Sequence, residues 1–253
     1  MRLPSQAEQH LAPPGLRLEN LSLTYAGVLI FEALNLTLEA RQFSVLLGPS
    51  GVGKTSLLRI IAGLEAPASG QVTASDGAPL AGRIAYMAQQ DLLLPWASAR
   101  GNVMLGDKLR GKRPDRAKAD DLLAQVGLRA RARALPAQLS GGERQRVALA
   151  RTLYEDRPVV LMDEPFSALD AITRARIQDL AARLLAGRTV FLITHDPLEA
   201  CRLGHSLAVL AGSPAVLAPP ITVPGHPPRP ADDESLLHLQ GELLRRLAGT
   251  IPA

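Results

Sequence analysis

FSVLLGPSGVGKTSLLRIIAG, residues 43–63, decides the fold because one short stretch joins three different patterns. Its first part, FSVLLG (43–48), is nearly continuous in apolar residues, as expected of a strand buried on both faces of a parallel sheet. Its last part, TSLLRIIAG (55–63), has the apolar spacing of a helix and ends in glycine. The residues between match Gly-x4-Gly-Lys-Thr, a loop that binds phosphate when a strand precedes it and a helix follows.

The residue types of this loop suit phosphate binding. Gly48, Gly51 and Gly53 let the backbone curl so that successive N–H groups face inward, and the helix N-terminus adds partial positive charge. Lys54 supplies a compact charge, and the Thr55 hydroxyl is the expected Mg²⁺ ligand. A glycine turn that only caps a helix is the alternative. The predicted nucleotide-binding residues are Gly48, Pro49, Ser50, Gly51, Val52, Gly53, Lys54, Thr55 and Ser56.

Polar side chains end two further apolar runs, VVLMD (159–163) and TVFLIT (189–194), which we predict to be buried strands. Asp163 can hold Mg²⁺ through water, and Glu164 can polarise an attacking water molecule. His195 can reach the terminal phosphate or that water. Because ligands bind at the carboxyl ends of parallel strands, we expect all three side chains near the loop. Simple strand-end caps for the acids and a structural role for the histidine remain the alternatives.

The remaining pattern alternates apolar runs with longer periodic stretches, which predicts an α/β fold with a mainly parallel sheet. Residues 169–187 form a predicted helix between the two strands. Residues 91–157 have helical periods and no convincing strand, whereas the chain after 212 is proline-rich and then ends in an amphipathic helix, ESLLHLQGELLRRLAG. The predicted apolar faces of these two helices consist of Ile172, Ile177, Leu180, Leu184 and Leu185, and of Leu236, Leu237, Leu243, Leu244 and Leu247.

Composition excludes few function classes. The 253 residues carry a net charge of +4, which permits anionic partners but selects none of them. Aromatic residues make up 3% of the chain, which disfavours a nucleic-acid surface built on base stacking. The single cysteine cannot form an internal disulfide. The N-terminal MRLPSQAEQHLAPPG lacks the apolar core of a signal peptide, and prolines and a glycine interrupt the most apolar later stretch, SLAVLAGSPAVLAPPITV (206–223), so we expect neither export nor a membrane span.

Two further features are ambiguous when each is considered alone. Tyr25 precedes the phosphate loop and can either stack on a nucleotide base or pack within a strand. LSGGERQR (139–146) places two glycines before a helix predicted over about 143–154, which is typical of an ordinary N-cap loop. It is also a second possible anion site, because backbone N–H groups at a helix start attract negative charge.

Taken together and in order, these motifs resemble the ATP-binding subunit of an ABC transporter over about residues 16–212. GPSGVGKT is similar to the Walker A loop, VVLMDE to Walker B, SALD (167–170) to the D-loop and LSGGERQR to the family signature. His195 matches the switch histidine, Tyr25 the aromatic A-loop position and Gln89 the Q-loop glutamine. The resemblance implies that Glu164, His195 and Gln89 are catalytic and that Thr55, Gln89 and Asp163 bind metal.

The resemblance also implies a fold and two ligands. The expected fold is a P-loop NTPase (RecA-like) core of about residues 16–90 and 158–212, with a mostly parallel sheet and an N-terminal antiparallel β portion. A helical subdomain, about 91–157, is inserted into that core, and residues 213–253 form a separate proline-rich segment and helix. The implied ligands are ATP and Mg²⁺.

In this family two cassettes pack head to tail, so the signature of one closes over ATP held by the other. By this resemblance Ser140, Gly141, Gly142 and Glu143 contact a phosphate bound to the partner chain. Glu143 departs from the usual glutamine and brings a carboxylate near phosphate unless Arg144 or Arg146 offsets it.

DLLLPW (91–96) and DEPFSALDAITR (163–174) look most similar to importer cassettes of the nitrate, sulfonate, taurine and pyrimidine-precursor group. The implied function is ATP hydrolysis that powers import of a small solute. Its partners are a second cassette, expected as a homodimer, integral membrane permease subunits and an external solute-binding protein; nucleic acid is not expected. The implied location is peripheral, at the cytoplasmic face of the inner (plasma) membrane. A soluble ABC-type ATPase that acts in nucleic-acid or protein assembly is the first alternative, and a regulatory subunit without turnover is the second.

Overall fold

The computed structural model describes residues 12–248, which fold around one mixed sheet of ten strands. Residues 1–11, which belong to the segment examined for a signal peptide, lie outside the described part of the chain. The strands are β1 Leu16–Tyr25, β2 Val28–Leu38, β3 Phe43–Leu47, β4 Ser69–Ala74, β5 Ile84–Met87, β6 Val159–Asp163, β7 Thr189–Ile193, β8 Ser206–Gly212, β9 Ala215–Leu217 and β10 Ile221–Thr222. The α-helices are α1 Lys54–Ile61, α2 Ala99–Val103, α3 Leu105–Leu109, α4 Arg116–Gln125, α5 Gly141–Tyr154, α6 Ala171–Leu184, α7 Pro197–Leu203 and α8 Glu234–Ala248.

The centre of the sheet is parallel, in the order β8-β3-β7-β6-β5. Every residue of β3, β6 and β7 is buried, which confirms the strands predicted from their apolar runs. Alternate residues of these strands contribute to two different apolar clusters, as expected when both faces of a sheet are covered. The polar residues that follow β3, β6 and β7 therefore meet at one edge of the sheet.

An antiparallel portion, β4-β1-β2, flanks this centre and confirms the predicted N-terminal β portion. β1 and β2 form a hairpin whose turn contains Ala26 and Gly27, both with positive φ. Alternating leucines along β1, such as Leu16, Leu18 and Leu21, point into the core that also receives α1. The hairpin thereby supports the helix that begins at the phosphate loop.

Helices fill the chain between β5 and β6. α2, α3, α4 and α5 lie there, with short 3-10 turns at Arg129–Arg131 and Pro136–Gln138 and no strand in this described stretch. Ala99, Val103, Leu123 and Val147 join their facing surfaces in one buried cluster. This stretch corresponds to the helical subdomain that we propose over about residues 91–157.

The stretch SLAVLAGSPAVLAPPITV forms β8, β9 and β10, and within residues 12–248 no helix has the length and apolar character needed to cross a membrane. β9 and β10 belong to the sheet, although both lie beyond the boundary that we propose at residue 212.

Two predicted helix faces were partly wrong. Ile172 is 77% exposed, because it lies in the first turn of α6 and is five positions, or about 140° around the helix, from Ile177. In α8, Leu236 and Leu243 are buried, whereas Leu237 and Leu244 are 50% exposed on the neighbouring face. The last residue of the predicted C-terminal helix, Gly249, lies outside the described part.

A buried arginine anchors the proline-rich segment to the core. Arg229 is 6% exposed and forms no ion pair with a carboxylate within residues 12–248; instead its guanidinium donates to main-chain carbonyls. Burial lowers the pKa of this guanidinium. The accepting carbonyl oxygens belong to Pro224, Cys201, Gly204, Val223 and Gly225, at 2.7–2.9 Å. Because two of these residues flank the end of α7, Arg229 joins the segment before α8 to the body of the molecule.

We expect Arg229→Met to lower the free energy of unfolding by about 2–5 kcal/mol, because it leaves several buried carbonyl groups without donors. Arg245→Met, which changes an exposed arginine on α8, is the matched control and should shift it by less than about 0.5 kcal/mol. Urea denaturation followed by circular dichroism measures both values. Equal stabilities for the two variants would contradict the anchoring role.

Candidate active site

The loop between β3 and α1 requires glycine at three positions. A Cβ atom on Gly48 would lie 2.2 Å from the Leu210 carbonyl oxygen, so β8 passes too close for any side chain. A Cβ atom on Gly53 would lie 2.6 Å from Cγ2 of Ile30 in β2, and Gly53 also has φ +104°. Gly51 has open space around it but a φ of +80°, which favours glycine. The curled backbone that the sequence predicts is therefore present.

Lys54 lies inside this loop. Its side chain is 7% exposed, and Nζ donates to the Gly48 and Pro49 carbonyl oxygens at 2.7 Å each. Burial lowers the pKa of the ammonium, while the nearby Glu164 and Asp163 carboxylates act in the opposite direction. The loop thus holds a compact positive charge at its centre.

Asp163 and Thr55 meet directly across the sheet edge. Asp163 is 1% exposed, and its Oδ2 accepts a hydrogen bond of 2.8 Å from the Thr55 hydroxyl. Burial raises the pKa of the Asp163 carboxyl, the Thr55 hydrogen bond lowers it, and the negative Glu164 raises it again. A buried carboxylate that is disfavoured in its charged form would be stabilised by a cation.

Glu164 is the centre of a second polar group at the same edge. Its Oε2 accepts from Nε2 of Gln89 at 3.2 Å and lies 3.3 Å from Nδ1 of His195. The backbone of Glu164 has φ +46°, and its N–H donates to the Ile193 carbonyl, so the residue turns sharply at the end of β6. The His195 side chain is 60% exposed, unlike a histidine packed in a core. The structure therefore brings together the polar residues that the sequence placed at the strand ends.

Gln145 is a site residue that the sequence reasoning missed. It projects from α5, is 4% exposed, and its Nε2 donates to the Glu164 carbonyl oxygen at 3.1 Å. Its Oε1 accepts from the Ala168 N–H at 2.8 Å. Gln145 thereby connects the signature helix to the segment that follows the acidic strand end. The available signal was an uncharged polar residue on the apolar face of a helix.

The signature stretch forms an N-cap at the start of α5. The Ser140 hydroxyl accepts from the Glu143 N–H at 3.1 Å, and the Glu143 carboxylate accepts from the Ser140 N–H at 2.8 Å. The hydrogen bond from the Ser140 N–H is the largest cause that lowers the pKa of the Glu143 carboxyl. Arg131, whose Nε donates to Glu143 Oε1 at 3.2 Å, lowers this pKa further. The arginine beside the Glu143 carboxylate is thus Arg131 and neither of the two arginines considered from the sequence, because Arg144 binds Asp91 and Arg146 binds the Val126 carbonyl.

Within residues 12–248, no hydrogen bond or ion pair joins the signature residues 140–143 to the phosphate loop 48–55. A Cβ on Gly142 would instead meet the Ala168 carbonyl oxygen at 3.2 Å. The signature thus borders the segment after Glu164 and makes no recorded contact with the phosphate loop of its own chain.

Tyr25 is 71% exposed at the end of β1, which is inconsistent with the alternative that it packs within a strand. The hairpin that carries it also carries Ile30 and Phe31, which contact Gly53. The exposed Tyr25 ring is therefore carried by the same hairpin that packs against the phosphate loop at Gly53.

The segment DLLLPW (91–96) is held by hydrogen bonds from α5, and two of its large apolar side chains are exposed. Arg151 donates to the Asp91 and Leu92 carbonyl oxygens, and Arg144 donates to the Asp91 carboxylate. Leu92 is 59% exposed with φ +46°, and Trp96 is 76% exposed. Two large apolar side chains therefore project from a segment that α5 holds in place.

Comparison with known proteins is consistent with this geometry. Residues 31–167 match the family model described as ABC transporter. An aliphatic sulfonates import ATP-binding protein of Rhodococcus jostii is 43% identical over 91% of this chain and 92% of its own. A taurine import ATP-binding protein of Pseudomonas entomophila is 47% identical over 79% of this chain and 80% of its own.

Among solved structures, a dimeric ATP-binding cassette in a post-hydrolysis state, bound to ADP and Pi, has a TM-score of 0.74 and 30% identity. The match covers 83% of this chain and 99% of that one. It agrees with the predicted P-loop NTPase fold. The chain belongs to the ATP-binding subunits of the ABC transporter family and is an ABC-type ATPase.

Proposed function

We propose that this chain hydrolyses ATP to power a membrane importer of a small solute, of the sulfonate or taurine type within the nitrate, sulfonate, taurine and pyrimidine-precursor group. The observation that carries the proposal is the Glu164, His195 and Gln89 cluster beside Lys54 and Thr55. The names of the import relatives favour an importer over a soluble ATPase acting in nucleic-acid or protein assembly. A complete set of polar groups for hydrolysis argues against a subunit without turnover.

ATP would bind with its phosphates in the loop from Gly48 to Ser56. The inward N–H groups, the N-terminus of α1 and the Lys54 ammonium all favour negative charge there. Tyr25 would stack on the base, since its ring is exposed on the supporting hairpin.

Mg²⁺ fits the residues that border the loop. The Thr55 hydroxyl, the buried Asp163 carboxylate and the Gln89 amide oxygen are the oxygen ligands that this hard cation prefers. No cluster of three or more His, Cys, Asp or Glu side chains suited to a metal ion occurs in residues 12–248, in keeping with a cation that takes one or two carboxylates together with substrate phosphates. When bound, the ion would neutralise the charge that develops on the phosphate oxygens.

Glu164 would act as general base. Its Oε2 already accepts a hydrogen bond from Gln89 and faces Nδ1 of His195, so it lies where a water molecule can donate a proton to it. His195 is exposed enough to contact the terminal phosphate, and Gln89 would hold both the carboxylate and the metal. Gln145 would hold the turn that follows Glu164 in a fixed position relative to α5, because it binds the backbone of Glu164 and of Ala168.

The signature would complete the ATP site of a second copy. Ser140, Gly141, Gly142 and Glu143 stand at the N-terminus of a 14-residue helix, where backbone N–H groups attract an anion. Because these residues do not contact the phosphate loop of their own chain, a head-to-tail homodimer would supply the missing half of each site. The dimeric relative with ADP and Pi supports this arrangement.

The remaining partners would be integral membrane permease subunits and an external solute-binding protein, with this chain peripheral at the cytoplasmic face of the inner (plasma) membrane. The exposed Leu92 and Trp96 would form an apolar contact for a permease segment. The import functions named for the relatives support the same assembly.

We expect Glu164→Gln to bind ATP normally, to lose at least about 100-fold in kcat and to accumulate as an ATP-bound dimer, because the amide cannot accept the proton of the attacking water. Glu39→Gln, at an exposed position after β2, is the control and should retain turnover. Steady-state hydrolysis and light scattering after size exclusion measure these properties. Near-normal turnover of Glu164→Gln would remove the base assignment.

Membrane coupling predicts that the tagged chain, extracted from native membranes in mild detergent, co-purifies with an integral membrane protein. Replacing Trp96 and Leu92 with serine should reduce that recovery by at least about fivefold without changing ATP binding, because it removes apolar contact area. Mass spectrometry of the eluate identifies the partner. Recovery of the free chain enriched in nucleic acid would favour the soluble alternative.

A further inference from the structure

A small cavity next to Glu164 and His195 is lined by groups to which the proposed hydrolysis assigns no role. Its volume is about 30 Å³, and besides Glu164 and His195 its lining includes Arg174, Thr194 and Glu199. Every lining residue is polar or charged. A space of this size suits one water molecule, and a water needs two to four polar partners.

Two buried polar atoms at this cavity lack a protein partner. Oε1 of Glu199 and Nε of Arg174 are both inaccessible to solvent and make no hydrogen bond to another residue. Glu199 as a whole is 4% exposed. An unpaired carboxyl oxygen in such an environment is costly, so each atom requires an additional partner.

The neighbouring hydrogen bonds fix which Glu199 oxygen is available. Arg202 donates to Oε1 of Gln178, so the Gln178 amide nitrogen must face Glu199, where it donates to Oε2 at 3.0 Å. Arg174 uses another of its nitrogens to bind the Leu169 carbonyl. Oε1 of Glu199 and Nε of Arg174 are thus the two buried atoms of this lining without a partner, an acceptor and a donor that one water can bridge.

We propose that Glu199 is a positioning residue for ATP hydrolysis, which holds a water molecule against Arg174 behind Glu164 and His195 and controls the direction of that water's hydrogens through its own proton. The inference rests on the proposed roles of Glu164 and His195. The proposal adds two features near His195 at the end of β7: a bound water molecule, and a carboxyl group, that of Glu199, whose protonation state affects hydrolysis.

The electrostatic setting supports a change of state near neutral pH. Burial raises the pKa of Glu199 to about 7; the neighbouring Thr194 hydroxyl lowers it, Asp196 raises it, and the Gln178 hydrogen bond and the Arg174 charge lower it. The charged or titratable groups that face Glu199 are Arg174 from α6, Asp196 and His195 from the loop before α7, and Glu164 from the end of β6.

The two states of Glu199 orient the water differently. Ionised Glu199 accepts a hydrogen bond from the water, which accepts in turn from Arg174. Protonated Glu199 donates to the water instead, which frees both hydrogens of the water for other acceptors of the cavity lining, among them the Glu164 carboxylate. A hydrogen bond donated to Glu164 competes with the attacking water for this carboxylate. The ionised form is therefore the active one, and its population falls as the pH decreases through about 7.

The test compares Glu199→Gln with the wild type, using the purified full chain at saturating protein concentration. Glutamine preserves the shape but cannot ionise. We expect kcat at pH 8 to decrease at least about tenfold, with KM for ATP within about twofold, and the wild-type to variant kcat ratio to shrink toward 1 as the pH approaches 6. Asp179→Asn, which removes a charge from Arg202 in the same network, is the control and should follow the wild-type profile.

Thermal melting supplies an independent readout of titration. The folded-state pKa of Glu199 lies above its ordinary 4.5, so this group's contribution to stability is fully present below pH 4.5 and is lost as the pH rises through about 7. The melting temperature of Glu199→Gln should therefore increase relative to that of the wild type as the pH rises from 5 to 8.

A kcat ratio that is the same at every pH, or a change confined to KM, would overturn the proposal, since a purely structural role lowers activity by one constant factor. A melting difference that does not vary with pH would also overturn it. The failures are distinguishable: if Glu164→Gln is inactive and the ratio is flat, only this inference is wrong, whereas an active Glu164→Gln contradicts the proposed function.

Discussion

The parallel register of three buried strands sets the geometry of the whole site. Leu46 pairs with Ile193 across β3 and β7, and Ile193 pairs with Asp163 across β7 and β6. The three strands therefore end within about one residue of the same level, and their chain segments leave the sheet there. Since two-sided burial favours apolar side chains within the strands, polar groups gather mainly at their ends.

Two sets of hydrogen bonds join neighbouring elements to that edge of the sheet. The Thr55 to Asp163 hydrogen bond joins the phosphate loop to the acidic strand end. Gln145 joins the same strand end to α5, whose N-terminus carries the signature. The signature is capped within its own chain by Ser140 and Glu143, so its backbone is preorganised before any phosphate arrives. One rigid unit thus presents a complete phosphate loop at one place and half of a second site at another.

Sequence patterns predicted those features that depend on local chemistry. The apolar runs of β3, β6 and β7, the glycines of the loop and the acids after β6 all follow from residue type and spacing. Residues whose role depends on a distant backbone were not predictable: Arg229 binds carbonyls of α7 and its flanks, and Gln145 binds a loop about 20 residues away. Ile172 was misassigned because it lies in the first turn of α6 and about 140° around the helix from Ile177, a separation that was not weighed against the helical period. Glu199, in LITHDPLEA, gave no signal because its burial and its unpaired oxygen arise only from tertiary packing.

The central claim is that each ATP site is shared between two copies. It is tested most directly by mixing two inactive chains, one with Lys54→Ala in the phosphate loop and one with Gly141→Asp in the signature, where a Cβ atom would lie 3.9 Å from Nη2 of Arg144, an ordinary van der Waals distance. A head-to-tail hybrid dimer contains one site in which both halves are intact. The account predicts that ATP hydrolysis returns on mixing, to at most about a quarter of the wild-type rate, because about half of the dimers are hybrids with one working site each. A mixture no more active than the separate chains would contradict the shared site.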